Sequence, residues 1–406
     1  MCSIIGRVAL AALAAILAYG AEPPRSWIDP DTGHRVVRLT SEPNSASLYF
    51  NQNGYTADGR KMVYTTPEGI SALDLETRTA KSVVKGRVQV IVTGHKTPNV
   101  YYRMGDQILS TNVDTLETRT IAKLPPRGSV ATVNADETLL AGTYIEGDGQ
   151  APASPAGQIH PLEQALNKGQ MMEQRLAAHL PMAMFTISTA TGEVKVIHRA
   201  TDWLNHLEFS PTDPNLLMFC HEGPWHKVDR IWTIHPDGTH IVKVHTRTMA
   251  GEIFGHEFWS HDGKTIWYDL QTPRGEDFWL AGYNVETGER TRYHLQRDEW
   301  SIHFNVTADG KLFCGDGGDP GQVARAKNGQ WIYLFRPEAI KFEGELNDRE
   351  FAQPGVLRAE KLIGMAKHNY RLEPNVSFTP DQKWVVFRSN MFGDTYTFAV
   401  EVAKAE

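Results

Sequence analysis

Histidine recurs at one position of a repeated phrase in this sequence, and histidine is suited both to binding metals and to acting as a base near neutral pH. The position lies four residues before the Ser, Thr or Asn of each copy of the phrase. Its occupants are Gln52, Val130, His206, His256, His303 and Asn375. If the copies are repeats of one structural unit, these side chains lie at one level around a common axis. The sequence therefore predicts a ring of imidazoles and amides drawn from distant parts of the chain.

Oxygen donors stand beside this predicted ring. Glu373 lies two residues before Asn375, and side chains two apart on a strand share a face. With His256 they offer one imidazole, one carboxylate and one amide oxygen, and His303 could join them. This mixture suits a hard or borderline divalent ion such as Mn²⁺ or Ca²⁺ better than a structural zinc. We therefore predict a metal site at His256, Glu373, Asn375 and His303.

A second group of reactive side chains lies in the segment 219–230, which places two histidines, a tryptophan and several charged residues around a Gly-Pro turn. Surface loops often carry charge but seldom combine two histidines with a tryptophan between them. Aromatic rings next to polar groups suit the faces of sugars. We expect a substrate-binding surface formed by Gln52, Trp225, His226, His368, Tyr370 and Arg388.

The repeated phrase itself predicts the fold. It consists of apolar residues, then Ser or Thr, a spacer, Asp-Gly, Lys and a β-rich run, which together describe a strand, a tight turn and a second strand. Copies occupy residues 55–64, 259–268, 306–313 and 378–387, with weaker copies at 133–137 and 209–213. Residues 92–103 supply a seventh unit. Repeats at intervals of roughly 40–50 residues are typical of propeller blades, so we predict an all-β, seven-bladed propeller.

Two stretches exceed the repeat length and are interpreted as insertions between strands. One covers residues 147–183 and includes a helix-like run at 161–180, and the other covers residues 316–367. The last unit is one strand short. The segment His34–Thr40 could supply the missing strand and close the ring, which would remove exposed sheet edges.

Composition and the N-terminal segment set further limits. The chain has 406 residues, a mass of 45.4 kDa and a formal net charge of −7, and no basic run suggests a nucleic-acid partner. Residues 1–21 resemble a secretory signal, with Arg7 before a short apolar run, so we predict a periplasmic or secreted protein without a membrane span in the mature chain. Residues 22–406 are predicted to form one domain. Cys220 and Cys314 are expected to be buried thiols.

Four segments, in this order and unit spacing, resemble the oligogalacturonate lyases, a family of seven-bladed propellers that degrade pectin. They are Tyr49–Asn53, Cys220–Pro224, Gly255–Trp259 and Ser377–Asp381. The likeness covers nearly the whole mature chain. It implies cleavage of short acidic oligosaccharides by β-elimination, which leaves a 4,5-unsaturated uronate end.

The resemblance also implies site residues and one departure. In the family, Mn²⁺ is held by the His of His-Glu-Phe-Trp, which is His256 here, and by a Gln and two His that fall by position on Tyr370, Glu373 and Asn375. The family's catalytic base is a channel histidine near an arginine. By resemblance, His206 or His221 fits the base and Arg230 the arginine.

Two other functions remain open at the level of sequence. A non-catalytic TolB-like periplasmic propeller shares the turns and the signal but leaves the histidine ring unexplained. A propeller glycoside hydrolase needs two carboxylates roughly 5–10 Å apart, for which the candidates are Glu222, Glu257, Glu373 and Asp316. The oligomeric state is not predicted, because a propeller closes on itself.

Overall fold

The structure, a computed structural model, describes residues 22–147, 168–341 and 351–405. The predicted signal peptide, residues 1–21, lies outside the described residues. In the described ranges, no helix has both the length and the apolar character needed to span a bilayer. Apart from one α-helix and short turns, the elements are β-strands in antiparallel meanders. The all-β propeller prediction is confirmed.

The first half of the chain forms an N-terminal pair of strands and four sheets of four strands. The pair is β1 (Ser26–Ile28) and β2 (His34–Arg38). The first sheet is β3 (Ala46–Ser47), β4 (Lys61–Thr66), β5 (Gly69–Asp74) and β6 (Ala80–Lys85). The second is β7 (Gln89–Thr93), β8 (Asn99–Met104), β9 (Gln107–Asn112) and β10 (Thr118–Lys123). The third is β11 (Ser129–Val133), β12 (Leu139–Ile145), β13 (Met182–Ser188) and β14 (Val194–Ala200), and the fourth is β15 (Trp203–Phe209), β16 (Leu217–Glu222), β17 (Ile231–Ile234) and β18 (Val242–Lys243).

The second half forms two joined units and a last sheet that the N-terminal pair extends. The fifth unit is β19 (Ile253–Trp259), β20 (Thr265–Gln271), β21 (Phe278–Asn284) and β22 (Arg290–His294). The sixth is β23 (Ser301–Val306), β24 (Phe313–Gly317), β25 (Trp331–Ala339) and β26 (Ala352–Gly364). The seventh is β27 (Ser377–Phe378), β28 (Trp384–Phe392) and β29 (Asp394–Lys404). A 3₁₀ turn, Arg297–Glu299, separates the fifth unit from the sixth.

The repeated phrase forms the turn between the first two strands of its unit. Gly59, Gly263 and Gly310 occupy the same turn position with φ near +69°. Glu137 of a weaker copy and Gln382 of the last copy occupy this position with φ of 61° and 60°. In the first copy, Asp58 accepts hydrogen bonds from the Thr56 hydroxyl and the Arg60 amide. The left-handed conformation costs little in glycine, which explains why Asp-Gly marks the stronger copies.

The N-terminal strand completes the seventh sheet. In β2, Val36 pairs with Val400 and Val37 with Ala399 of β29, antiparallel. The last sheet therefore has the order β1-β2-β29-β28-β27. Strands from the two ends of the chain are thereby hydrogen-bonded in one sheet, which leaves no unpaired edge on β29.

The two predicted insertions differ from their expected extents. In the first, the helix α1 covers Lys168–Ala178, inside the predicted 161–180, and residues 148–167 lie outside the described residues. The helix ends because His179 takes a left-handed φ of 44° and Pro181 follows two residues later. In the second, residues 331–339 and 352–364 are the third and fourth strands of the sixth unit. Charged residues within these long strands concealed their apolar alternation from sequence analysis.

The core consists of apolar clusters between neighbouring sheets. One cluster joins Phe258 of the fifth unit to Phe304 and Phe335 of the sixth, all at most 1 % exposed. Cys220 and Cys314 are both buried and unpaired, so the prediction of two buried thiols is confirmed. The packing of one sheet against the next fixes the inner strands relative to one another, and the candidate site lies on those strands.

Two glycines at the same turn position provide a matched test of this fold. Gly310→Ala should lower the free energy of unfolding by about 1–2 kcal/mol, because an L-residue there is strained and a Cβ atom meets nothing. Gly263→Ala should cost about 1–3 kcal/mol more, because its Cβ would overlap the side chains of Ser210 and Thr212. Urea unfolding of both variants measures the difference, and equal losses would contradict the proposed packing.

Candidate functional site

A bulge recurs on the first strands of successive units, at or beside the position predicted from sequence. The pairing register shifts between Asn205 and Glu208 in β15, between Gly255 and Phe258 in β19, and between Ser301 and Phe304 in β23. Three residues at the recurrent position have left-handed φ values, namely His206 (46°), His256 (49°) and Asn375 (53°). Bulges re-aim a side chain without ending the sheet, and strained non-glycine residues cluster at functional sites. The repeated strain supports a shared role for this position.

Two of the recurrent histidines are held by buried aspartates on the adjoining strand. His256 Nδ1 lies 3.1 Å from Asp269 Oδ1, and His303 Nδ1 lies 2.8 Å from Asp316 Oδ2. Each aspartate follows its histidine by 13 residues and is 1 % exposed. Sequence analysis missed this pairing for Asp269 and Asp316, although the repeated 13-residue spacing was a readable signal. A carboxylate on one ring nitrogen fixes the ring and leaves the other nitrogen available.

The two histidines are neighbours in space. Their ring centroids are 4.9 Å apart in an edge-to-face arrangement. His303 Nε2 lies 3.8 Å from Glu373 Oε2 and 3.3 Å from the Tyr49 hydroxyl. As placed, no three His, Cys, Asp or Glu side chains of the described ranges are gathered tightly enough to enclose a metal ion. The cluster nevertheless offers two imidazoles and one carboxylate, and Glu373 is 42 % exposed and free to change rotamer.

Burial and neighbouring charge give the two imidazoles different proton affinities. Burial, together with the adjacent His303, holds the pKa of His256 well below its usual value. Burial alone would lower the pKa of His303 as well, but the carboxylates of Asp316 and Glu373 outweigh it and raise that pKa. Burial also raises the pKa of Asp269 well above its usual value. The arrangement therefore keeps His256 neutral and able to donate an electron pair at neutral pH.

Asn375 has a different environment from the one predicted for a metal ligand. It is 1 % exposed, and its side-chain oxygen accepts the Phe50 amide at 3.4 Å. Its side-chain nitrogen donates to the Glu373 carbonyl at 3.0 Å, and its own amide donates to Asp316 at 2.9 Å. These bonds tie Asn375 to the backbone of neighbouring segments. Because one of them is to the Glu373 carbonyl, Asn375 orients the segment that carries Glu373.

A buried ionic network lies next to the histidine pair. Arg230 donates to Glu222 at 2.5 Å and to Glu257 at 3.3 Å, and its guanidinium lies 4.7 Å from the ring centroid of Trp225. Glu222 also contacts His206 Nε2 at 2.9 Å. Despite the cost of burial, Arg230 and His206 hold the pKa of Glu222 far below its usual value. Both terminal nitrogens of Arg230 are thus committed to carboxylates of the protein.

The two candidate bases lie on opposite faces of the fourth sheet. His221 and Glu222 are consecutive on β16 and therefore point to opposite sides. His221 Nδ1 lies 3.6 Å from Asp202, and its ring is 5.2 Å from that of Trp232, away from His256. His206 joins the network of Glu222 and remains 35 % exposed. The geometry thus brings His206, and not His221, to the predicted site.

A cavity of about 940 Å³ opens beside the histidine pair. Its walls include Trp225, His226, His256, Tyr370 and Glu373, all of which were predicted site residues. Both insertions contribute, because residues 168–174 of α1 and residues 321–323 also line it. The volume suits a short oligosaccharide rather than a single ion.

The remaining predicted residues have mixed positions. The Tyr370 hydroxyl is buried without a hydrogen-bond partner among the described residues, on a residue that lines the cavity. Arg388 Nε donates to the Glu373 carbonyl at 2.8 Å and so supports that residue. His368 uses both ring nitrogens, on Ser389 and the Leu372 carbonyl. Gln52 bonds to the Ile91 carbonyl and the Tyr49 amide, which indicates a structural role for its side chain.

The buried network makes a prediction about stability. Glu222→Gln should lower the free energy of unfolding by about 3–5 kcal/mol, because it leaves the Arg230 charge buried with only part of its compensation. Lys264→Ala, which breaks an exposed pair with Glu286, should change it by less than about 1 kcal/mol. Denaturant unfolding measures both variants. A small loss for Glu222→Gln would show that the network contributes little to stability.

Similarity to known proteins agrees with this geometry. Residues 24–405 match the model of the oligogalacturonate lyase family. An oligogalacturonide lyase of Pectobacterium atrosepticum is 26 % identical over 400 residues, which cover 93 % of this chain and 95 % of that protein. An oligogalacturonate lyase of Dickeya dadantii is 25 % identical over 402 residues, with the same coverage of 93 % and 95 %.

Solved structures show the same fold. An oligogalacturonate lyase in complex with manganese superposes with a TM-score of 0.75 at 24 % identity and covers 93 % of this chain and 96 % of that one. An oligogalacturonate lyase of Vibrio parahaemolyticus gives a TM-score of 0.72, also at 24 % identity and with coverage of 93 % and 96 %. Because the family model spans almost the whole chain, this protein belongs to the oligogalacturonate lyase family.

Proposed function

We propose that this protein is a lyase that cleaves short uronate-containing oligosaccharides, oligogalacturonates in particular, by β-elimination. The observation that carries the proposal is the histidine pair beside the cavity. His256 and His303 each have Nδ1 held by a buried aspartate, and their rings are 4.9 Å apart. Nε2 of His303 faces Glu373 and the Tyr49 hydroxyl. Such rings suit either metal binding or proton transfer, and β-elimination next to a carboxylate needs both functions.

The donor set fits a divalent ion. His256 and His303 would bind it through Nε2, and Glu373 would add an oxygen, with the two aspartates as the outer partners that metal-binding histidines usually have. The bound ion would neutralise the substrate carboxylate so that negative charge can develop on it. We infer Mn²⁺ first, because a structural neighbour is a manganese complex, with Ca²⁺ as the alternative.

The proposed ligand set differs from that of the family in one respect. The resemblance assigns three family ligands to the positions of Tyr370, Glu373 and Asn375. Of these, Glu373 alone keeps a donor turned toward the histidine pair, since Asn375 is held by backbone groups. We therefore assign the metal to His256, His303 and Glu373, and assign Asn375 to their support. An oxygen donor in place of imidazole favours a harder ion.

We assign the catalytic base to His206. Glu222 holds its Nε2 at 2.9 Å, which leaves Nδ1 to accept the proton from carbon 5 of the uronate. A base oriented by a third group is the usual arrangement in proton abstraction. Arg230 is a positioning residue here, because it fixes Glu222 and Glu257 and packs on Trp225. Trp225, His226 and Tyr370 would contact the sugar from the cavity wall.

The hydrolase alternative lacks a free pair of carboxylates. Glu222 and Glu257 are both ion-paired with Arg230, and Asp316 is bonded to His303. Glycoside hydrolysis needs one carboxyl group as an acid and another as a base or nucleophile. Glu373, which is 42 % exposed and lies 3.8 Å from His303, is the one candidate of the four that is not itself buried. The geometry therefore favours elimination.

We also propose that residues 1–21 direct the protein to the periplasm or the medium and that residues 22–406 form a single domain. Secretion would bring the enzyme to acidic oligosaccharides released from plant cell walls. The apolar run after Arg7 and the small residues near Tyr19 support the signal. Fractionation of cells that produce the full chain, followed by N-terminal sequencing of the protein, tests this assignment.

The lyase assignment makes a direct prediction. Protein treated with EDTA, incubated with di- or trigalacturonate, should form the ultraviolet-absorbing conjugated double bond only when Mn²⁺ or Ca²⁺ is added back. His256→Ala and His303→Ala should each lower kcat by about 10²–10³-fold, because each removes stabilisation of the developing charge. His240→Ala, an exposed histidine stacked on His235, serves as the matched control and should leave kcat unchanged.

Three results would separate the alternatives. Absorbance that rises equally with and without the ions would remove the metal from the reaction but keep the lyase. Cleavage without absorbance would indicate hydrolysis. Absence of cleavage with all four combinations of substrate and ion would contradict the proposed function.

The helix that lines the cavity makes a prediction about substrate length. Deletion of residues 148–180, which removes α1, should raise activity on polygalacturonate relative to digalacturonate, because α1 closes one side of the cavity. Initial rates on polymer and dimer measure the ratio, and circular dichroism checks that the variant is folded. An unchanged ratio in a folded variant would contradict a role of α1 in length selection.

A further inference from the structure

Two arginines stand side by side at the rim of the cavity. Arg274, in the turn between β20 and β21, lines the cavity together with His256. Arg325, in the segment between β24 and β25, reaches the same turn, because its Nη1 lies 3.5 Å from where a Cβ atom on Gly275 would be. The two side chains therefore come from different units and meet at one place.

Buried Gln271 fixes this meeting. It is fully buried, and its side-chain nitrogen donates to the Val323 carbonyl at 3.1 Å while its side-chain oxygen accepts the Gly275 amide at 2.8 Å. One amide thus joins the segment of Arg325 to the turn of Arg274. The Arg274 amide also donates to the Gly251 carbonyl at 2.9 Å, which anchors the turn on its other side. The two backbone segments that carry the arginines are thereby held together.

Neither guanidinium forms an ion pair within the described ranges. Of the nearby carboxylates, Asp277 lies 3.6 Å from His294, and Asp319 accepts the Gly321 amide at 2.9 Å. Glu276 points away into solvent. Partial burial and the neighbouring charge of Arg325 lower the pKa of Arg274. Two like charges kept together without a counter-ion raise the free energy of the empty site, and an anion would relieve this.

We propose that Arg274 and Arg325 form a subsite for the carboxylate of a second uronate residue of the substrate. This inference rests on the proposed function, since it concerns the same cavity. Guanidinium groups bind carboxylates through paired hydrogen bonds, so a planar carboxylate between them would be bound by charge and by geometry. The ligand class is an anionic oligosaccharide with at least two carboxylates.

The position of the subsite separates it from the reacting sugar. The backbone of Arg274 is bonded to Gly251, which lies two residues before β19 begins and five residues before His256. At the usual strand rise, this separation is roughly 16 Å along the strand. The long arginine side chain shortens the distance but does not remove it. The subsite would therefore bind a uronate next along the chain from the one that loses its proton.

The test compares the double variant Arg274→Gln/Arg325→Gln with wild type on tri- and digalacturonate. The KM for trigalacturonate should rise by about tenfold or more, with kcat within about twofold, because each charge-assisted bond contributes to binding and not to the chemical step. The KM for digalacturonate should rise by a comparable factor, because the dimer already contains the neighbouring uronate. Arg274→Lys/Arg325→Lys should restore part of the affinity, because lysine keeps the charge but not the fork.

A matched control removes two charges elsewhere. Arg336→Gln/Arg358→Gln alters two exposed arginines of β25 and β26, which pair with Glu360 and Glu338, and should leave both KM values unchanged. An unchanged KM for trigalacturonate in the Arg274 and Arg325 double variant would overturn the subsite while the lyase stands. If wild type shows no lyase activity, calorimetric titration with trigalacturonate decides the subsite separately. Binding weakened about tenfold in the double variant supports it, and equal binding or none in wild type overturns it.

Discussion

The candidate site depends on one local constraint, which is the recurrent bulge on the first strands of successive units. Left-handed backbone at His206 and His256 turns their side chains out of the regular pleat, and the register shift in β23 does the same for His303. Such backbone is unfavourable for a residue with a side chain, so the neighbouring strand must stabilise it. The bonds to Asp269, Asp316 and Glu222 do so, and they orient the rings in the same step.

The buried ionic network divides the site into two parts with different tasks. On one side lie His256, His303 and Glu373. Within the described residues, their side chains form no ion pair with a lysine or an arginine. On the other side, Arg230 forms ion pairs with Glu222 and Glu257 inside the protein. Its positive charge is therefore not available to a substrate carboxylate. With the subsite proposed above, cationic recognition of the substrate would lie at the rim, where side chains of the loops are exposed. An acidic protein could then bind an acidic sugar.

Much of the fold and part of the site could be predicted from the sequence, for identifiable reasons. The Asp-Gly turns identified the repeating unit, because few residues adopt the left-handed conformation at that position. Counting back from the turn in each repeat then located His256 and His303. The partners Asp269 and Asp316 were missed because they act across strands, and the repeated spacing of 13 residues from His256 and His303 was the one sequence signal that pointed to them. Asn375 was assigned from its place at the recurrent position and His221 from the family resemblance, and neither argument shows what the side chain contacts. The alternation of β16 turns His221 away, and backbone groups already occupy the Asn375 amide.

The fifth and sixth units are joined at their outer edges, since β22 pairs in parallel with β26 from Arg290–Ala352 to His294–Val356. Their inner strands, β19 and β23, carry His256 and His303. A hydrogen-bonded seam at the perimeter makes these two units one continuous eight-stranded sheet, whereas the strands of the other units form separate sheets. Motions that separate neighbouring units should therefore be smaller between the fifth and sixth units than between the other units. A ladder at the far edge of the molecule would thus help to keep the two imidazoles at a constant separation.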